Sequence, residues 1–64
     1  MFNMDIMNDA EIMAECGCRL NEIQSMLFRE GYDLVIDMEH ARERGLYFND
    51  VFILGNGWVV VGLI

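Results

Sequence analysis

The chain has 64 residues, of which 55% are hydrophobic, and eleven Asp and Glu against four Arg give it a formal net charge of −7. This length allows one small domain, residues 1–64, and the charge opposes binding to phosphate backbones and anionic membranes. We therefore expect a protein that docks on a basic surface of a protein partner, unless the charge serves solubility alone.

The cysteines and the N-terminal residues lead us to expect a protein that is not secreted. Cys16 and Cys18 are one residue apart, which is too close for an unstrained disulfide. The first residues lack the positive segment and the continuous apolar run of a signal peptide. The longest uncharged stretch, residues 51–64, contains three glycines and is too short to span a bilayer. We expect a cytoplasmic protein with no membrane contact.

Residues 1–7 are rich in Met and are interpreted as an arm or a short strand, followed by a helical region over residues 8–30. Asn8 and Glu11 have the spacing of a capping box, and Arg29 and Gly31 are typical of a helix end. Apolar residues recur between them with helical spacing: Ile12, Cys16, Leu20, Ile23 and Leu27. This pattern predicts one apolar stripe, with Cys16 as a small core residue.

Gly17 interrupts this pattern, because Gly inside a helix costs about 1 kcal/mol relative to Ala. Either the helix is broken here or Gly17 allows a neighbour to approach closely. On a continuous helix, the opposite side would carry an acidic face, relieved only by the Glu15–Arg19 pair. The acidic residues that we expect to contact a partner are Asp9, Glu11, Glu15 and Glu22.

Residues 32–45 fit two structures. Tyr32, Leu34, Ile36 and Met38 alternate with a second set of residues, which is a strand pattern; the second set is Asp33, Val35, Asp37 and Glu39. The same segment fits a helix over 33–45, with Asp33 as the cap and Gly45 as the stop, and we favour the helix.

Residues 51–64 predict a β-hairpin. Two runs of β-branched and aromatic residues flank Gly55-Asn56-Gly57, a turn sequence. The predicted fold is therefore α+β, with one or two N-terminal helices packed on a C-terminal hairpin in the order ααββ, or αβββ if residues 33–45 form a strand.

The sequence contains few groups that could carry out catalysis. It has one Ser, one His and no Lys or Thr, and neither Ser25 nor His40 lies in a recognisable catalytic motif. A pair of Cys18 as nucleophile and His40 as base is arithmetically possible. His40 is better explained as a surface residue. We expect a non-enzymatic protein without a cofactor or metal.

Residues 16–27, Cys-Gly-Cys-Arg-Leu-Asn-Glu-Ile-Gln-Ser-Met-Leu, resemble the turn and second helix of helix-turn-helix DNA-binding proteins. The matching positions are Gly17 in the turn, apolar Cys18 after it and apolar Ile23 six positions past the Gly. The chain departs from that family at Met13, where Ala is usual. The resemblance implies that Arg19, Asn21, Glu22 and Gln24 face a DNA groove, with the hairpin as a wing. A transcriptional regulator is therefore the alternative function, although the charge makes nucleic acid an unfavourable partner.

In size, charge and lack of catalytic groups, the chain is similar to small inhibitors that bacteriophages encode against host enzymes and defence complexes, some of which imitate DNA. That similarity implies action in the host cytoplasm and carboxylates presented to an Arg- and Lys-rich groove.

The hairpin also suggests self-association. Successive residues of a strand point to opposite faces, and the residues on both faces of this hairpin are apolar. A hairpin with one solvated face has polar residues at alternate positions instead. We expect a homodimer or higher oligomer, which leaves a small oligomeric structural subunit as a further alternative. The predicted interface residues are Phe52, Leu54, Trp58, Val59 and Val61.

Overall fold

Three helices and three strands are present in a computed structural model that describes residues 2–64. In chain order they are α1 (Met4–Glu15), α2 (Leu20–Arg29), β1 (Tyr32–Val35), α3 (Met38–Glu43), β2 (Phe48–Ile53) and β3 (Val59–Leu63). The strands form one antiparallel sheet in the order β1-β3-β2. The α+β class predicted from the sequence is confirmed. The order ααββ is only approximate, because the helical region predicted over 8–30 is divided into α1 and α2 and because strand β1 precedes α3.

The predicted C-terminal hairpin is formed by β2 and β3. Ile53 lies opposite Val59, and the Leu54 N–H donates to the Trp58 carbonyl at 2.8 Å to close the turn. Asn56 shapes this turn, because its side-chain oxygen accepts from the Trp58 N–H at 3.0 Å. β3 pairs on both sides and is therefore the central strand, as its run of buried valines requires.

The two faces of the sheet are covered by different helices. Along β3, Val60 packs among the buried residues of α1 and α2, whereas Val59 and Val61 pack against Ala41 of α3. The buried residues of the first cluster are Met7, Ala10, Ile23, Leu27, Leu34, Leu54 and Val60. The second cluster is smaller and contains Val35, Ala41, Val59 and Val61.

This arrangement changes the predicted oligomer interface. Leu54, Val59 and Val61 are buried within the chain, so their assignment to an interface was wrong. Phe52 and Trp58 are half-buried and pack against the first cluster. The reason is that both faces of the hairpin are covered within the chain, since α1 and α2 pack against Leu54 and α3 packs against Val59 and Val61.

The N-cap of α1 lies five residues before Asn8, the cap predicted from the sequence. Asn3 is the N-cap, and its side chain accepts from the backbone N–H groups of Asp5 and Ile6. Most of residues 1–7 is thus helical, and the arm interpretation was wrong for residues 4–7. The earlier start places Met7 in the core, where it is fully buried. Burial of this side chain selects the longer helix over the local capping box at Asn8.

Gly17 marks a break between two helices, which was the first of the two structures that the sequence allowed at this residue. Its φ of 81° is left-handed, and the Cys18 N–H donates to the Met13 carbonyl at 3.0 Å, as in a Schellman motif. Cys16 is the C-cap and is exposed, as is Ile12. The single apolar stripe through these two residues was therefore wrong, because the second helix starts in a new direction at Leu20.

Residues 32–45 combine both of the predicted structures. The first four form strand β1, which pairs with β3, and α3 follows after a bend. The cap of this helix is Asp37, whose side chain accepts from the His40 N–H at 2.8 Å. The prediction of one helix over 33–45 capped by Asp33 was wrong, since Asp33 is a buried strand residue.

Candidate functional site

The four carboxylates predicted to contact a partner lie on the two N-terminal helices. Asp9 and Glu15 are exposed on α1, Glu11 is half-buried there, and Glu22 is exposed in the first turn of α2. Asp9 and Glu11 are two residues apart and point about 200° apart around the helix. The acidic face predicted along one continuous helix through Glu11, Glu15, Cys18 and Glu22 was wrong, because α1 ends at Glu15 and α2 has its own direction.

Glu11 and Glu15 are brought together beside the turn of the hairpin. The two residues lie about 40° apart around α1, and they line a shallow concavity with Ala14, Gly55 and Asn56. The Glu11 carboxylate accepts a hydrogen bond from the Gly55 N–H at 2.6 Å. Glu11 therefore anchors the turn against α1, and Glu15 is the more exposed carboxylate at this concavity.

Glu15 occupies an electrostatically unfavourable place for an acid. It is the last residue of α1, a helix with four acidic residues and none that is basic, and the last turn is the negative end of the helix dipole. Glu22 has the opposite setting, since the first turn of α2 is the positive end of its dipole. Glu15 therefore lowers the stability of the fold and Glu22 raises it, although both side chains are exposed.

The helix-turn-helix resemblance corresponds to α1, the turn at 16–19 and α2. Ile23 is fully buried and Cys18 packs half-buried against the first cluster, as the apolar positions of that motif require. Gln24, one of the proposed base-reading residues, points elsewhere. Its amide donates to the Asp33 carboxylate at 2.8 Å at the edge of the sheet.

Asp33 is a buried polar residue, a role that the sequence did not predict for it. It is 1% exposed and forms an ion pair with Arg44 at 2.9 Å. The same carboxylate accepts from the Leu34 N–H at 2.7 Å, and Gln24 also reaches the Leu34 carbonyl at 3.5 Å. The alternation of apolar residues around Asp33 was the only sequence signal for its place in a strand.

This ion pair lies at the inner end of an open cleft of about 590 Å³ between α2 and the end of α3. The other lining residues all belong to α2: Gln24, Ser25, Phe28 and Arg29. Since both Asp33 and Gln24 are already hydrogen-bonded to each other and to β1, the polar groups at the inner end of the cleft serve the fold.

The remaining polar side chains of interest are separated from one another. Cys18 packs with α1 and α2, whereas His40 belongs to α3 on the other face of the sheet. The His40 ring accepts from the Ile36 N–H through Nδ1 at 3.3 Å. Within residues 2–64, no three His, Cys, Asp or Glu side chains converge as metal ligands would.

None of the helices in residues 2–64 has the length and apolar character needed to cross a membrane. Comparisons with protein-family models, curated proteins and solved structures gave no significant match.

Proposed function

We propose that this chain is a non-enzymatic binding protein that docks on a basic surface of a protein partner through exposed carboxylates of α1 and α2. The observation that carries the proposal is Glu15, an exposed acid at the negative end of a helix without a basic residue. A carboxylate in that place costs stability of about 0.3–1 kcal/mol. A role in binding accounts for an acid that the fold alone disfavours.

The charge of α1 supports the same surface, because its twelve residues contain four acidic residues and no basic one. α1 and α2 with their connecting turn, residues 4–29, contain five of the eleven acidic residues and two of the four arginines. The two arginines are Arg19, at the start of α2, and Arg29, at its end. α1 is the most acidic element, and the exposed carboxylates of α1 and α2 are those of Asp5, Asp9, Glu15 and Glu22.

A complete imitation of a DNA duplex is less well supported than an acidic contact of limited extent. The longest dimension of the chain is 29 Å, over which duplex DNA carries about 17 phosphate charges. The net charge of this chain is −7. We therefore propose a basic protein groove as the target, with phage-type inhibition of a nucleic-acid-binding or defence complex as one such role.

The test is capture of a protein from host lysate by the immobilised chain, repeated after nuclease treatment. Glu15→Lys/Glu22→Lys should weaken capture about tenfold or more, because two attractive contacts become repulsive. Glu39→Lys/Glu43→Lys is the matched control, since it changes the net charge equally on exposed positions of α3. Equal loss in both variants, or undiminished capture in the first, would contradict the proposal.

A helix-turn-helix regulator is the second candidate, and it is supported by the break at Gly17 and the burial of Ile23. It predicts capture that depends on nucleic acid and disappears with nuclease. The orientation of Gln24 toward β1 and the net charge both favour the protein-binding candidate.

A further inference from the structure

The two edges of the sheet differ in how their backbone groups are used. Along an antiparallel strand, the backbone groups of successive residues point alternately toward and away from the paired strand. The Gly31 carbonyl accepts from the Leu63 N–H of β3, so the backbone groups of Gly31 and Asp33 face β3. The N–H and C=O of Leu34 therefore point away from β3. The Asp33 carboxylate and the Gln24 amide hydrogen-bond to these two outward groups at 2.7 and 3.5 Å. Side chains thus close this edge against pairing with a further strand.

At the centre of the β2 edge, no side chain within residues 2–64 is hydrogen-bonded to the outward backbone groups. Leu54 and Trp58 form a hydrogen-bonded pair, so the backbone groups of Leu54 and Phe52 face β3. By the same alternation, the N–H and C=O groups of Val51 and Ile53 point away from β3. Their side chains lie on the same face of the sheet as α3 and are 43% and 66% exposed. α3 spans only about 9 Å and packs beside β1, so it does not reach them.

We propose that β2 pairs with β2 of a second copy of this chain, in antiparallel register, to form a six-stranded sheet. With Phe52 on the two-fold axis, Val51 of each copy lies opposite Ile53 of the other. The outward N–H and C=O groups of both residues then form a hydrogen-bonded pair on either side of the axis. The exposed apolar side chains of β2 meet across the same junction.

The charge of the edge favours a second copy over a basic protein. β2 contains one of the eleven acidic residues, Asp50, and no basic residue. In the proposed register Asp50 lies opposite Leu54 of the other copy, so that the two acids do not face each other. A basic partner would find few carboxylates along this strand.

The closed β1 edge limits the assembly to two copies. Pairing of β1 with β2 of a neighbour would generate an open-ended filament. The side chains of Asp33 and Gln24 occupy the hydrogen-bonding groups that such a contact needs. A two-fold axis through paired antiparallel strands also places α1 of both copies on one face, where their carboxylates could contact a partner together.

Sedimentation equilibrium of the full chain over micromolar to millimolar concentrations tests the proposal. The mass should rise from 7.4 kDa toward twice that value, and association should strengthen with salt as repulsion between two −7 chains is screened. Ile53→Lys should weaken dimerisation about tenfold or more. Ile36→Lys, at a residue with a similar exposure of 55%, should leave it unchanged.

Amide hydrogen exchange provides the second measurement. Protection of the Val51 and Ile53 amides should increase with protein concentration in the wild type and not in Ile53→Lys. A monomer at all concentrations would overturn the proposal, as would a dimer in which these amides remain unprotected. Binding of a foreign extended peptide to monomeric chain would assign the edge to a different occupant. None of these results depends on the acidic surface of α1 and α2.

Discussion

The Glu11 carboxylate accepts a hydrogen bond from the Gly55 N–H at 2.6 Å, joining residues 44 positions apart. This contact ties α1 to the turn between β2 and β3. A methyl group added at Gly55 would lie 3.1 Å from Glu11 Oε2. The contact therefore depends on a carboxylate at one position and on the small size of the other residue.

We expect Glu11→Ala to destabilise the fold by about 1 kcal/mol, which is less than is usual for a hydrogen bond to a charged group because Glu11 is only half-buried. Gly55→Ala should also destabilise the wild type, because the new methyl displaces the carboxylate. In the Glu11→Ala background the same change should have little effect. A urea-unfolding double-mutant cycle measures this coupling, and additive effects would contradict it.

A second prediction concerns the buried ion pair. Arg44→Ala should cost about 2 kcal/mol, because it leaves the Asp33 carboxylate buried without its cation. Asp33→Asn in that background should recover part of the loss by removing the charge. Arg42→Ala, at an exposed neighbouring arginine, is the control and should stay within about 0.5 kcal/mol. Equal losses in the two arginine variants would indicate that the pair contributes nothing.

The sequence predicted those elements whose signals are local. The hairpin follows from β-branched runs around Gly55-Asn56-Gly57, and the ends of α2 and α3 at Gly31 and Gly45 follow from the left-handed conformations of these glycines. Cys16 was misplaced because helical periodicity was extended across Gly17. Residues on the two sides of a helix break do not share a helical face, so the spacing between them does not predict which of them are buried.

The elements that the sequence missed depend on distant contacts. Residues 32–35 have a composition that also suits a helix, and pairing with β3 decides their structure. In the same way, the exposure of Glu15 and Glu22 was predictable, whereas the engagement of Glu11 by Gly55 was not. Nor could the sequence indicate that Asp33 closes one sheet edge while β2 stays open, because that difference arises only once the strand order is known.

The third prediction concerns the turn between α1 and α2. Gly17→Ala should destabilise the protein by roughly 1 kcal/mol, since its φ of 81° is unfavourable for a residue with a Cβ. No atom lies within 4 Å of the added methyl, so the cost is conformational only. Gly17→Asn should cost less, because Asn tolerates the left-handed region better. A larger loss for Asn than for Ala, measured by thermal unfolding, would contradict this explanation.

The last prediction separates stability from binding at the two exposed acids. Glu15→Gln should stabilise the fold by about 0.3–1 kcal/mol, since it removes a negative charge from the negative end of α1. Glu22→Gln should destabilise by a similar amount, because that carboxylate lies in the first turn of α2. Both variants change the net charge by one, so general repulsion affects them equally.

If the carboxylates contact a basic partner, each variant should nevertheless bind it more weakly, and the affinity lost should shrink as salt is raised. Chemical denaturation and titration of the captured partner against both variants provide the two measurements. Stability changes of the same sign would exclude the dipole as their cause, and unchanged affinities would leave Glu15 without a role in binding.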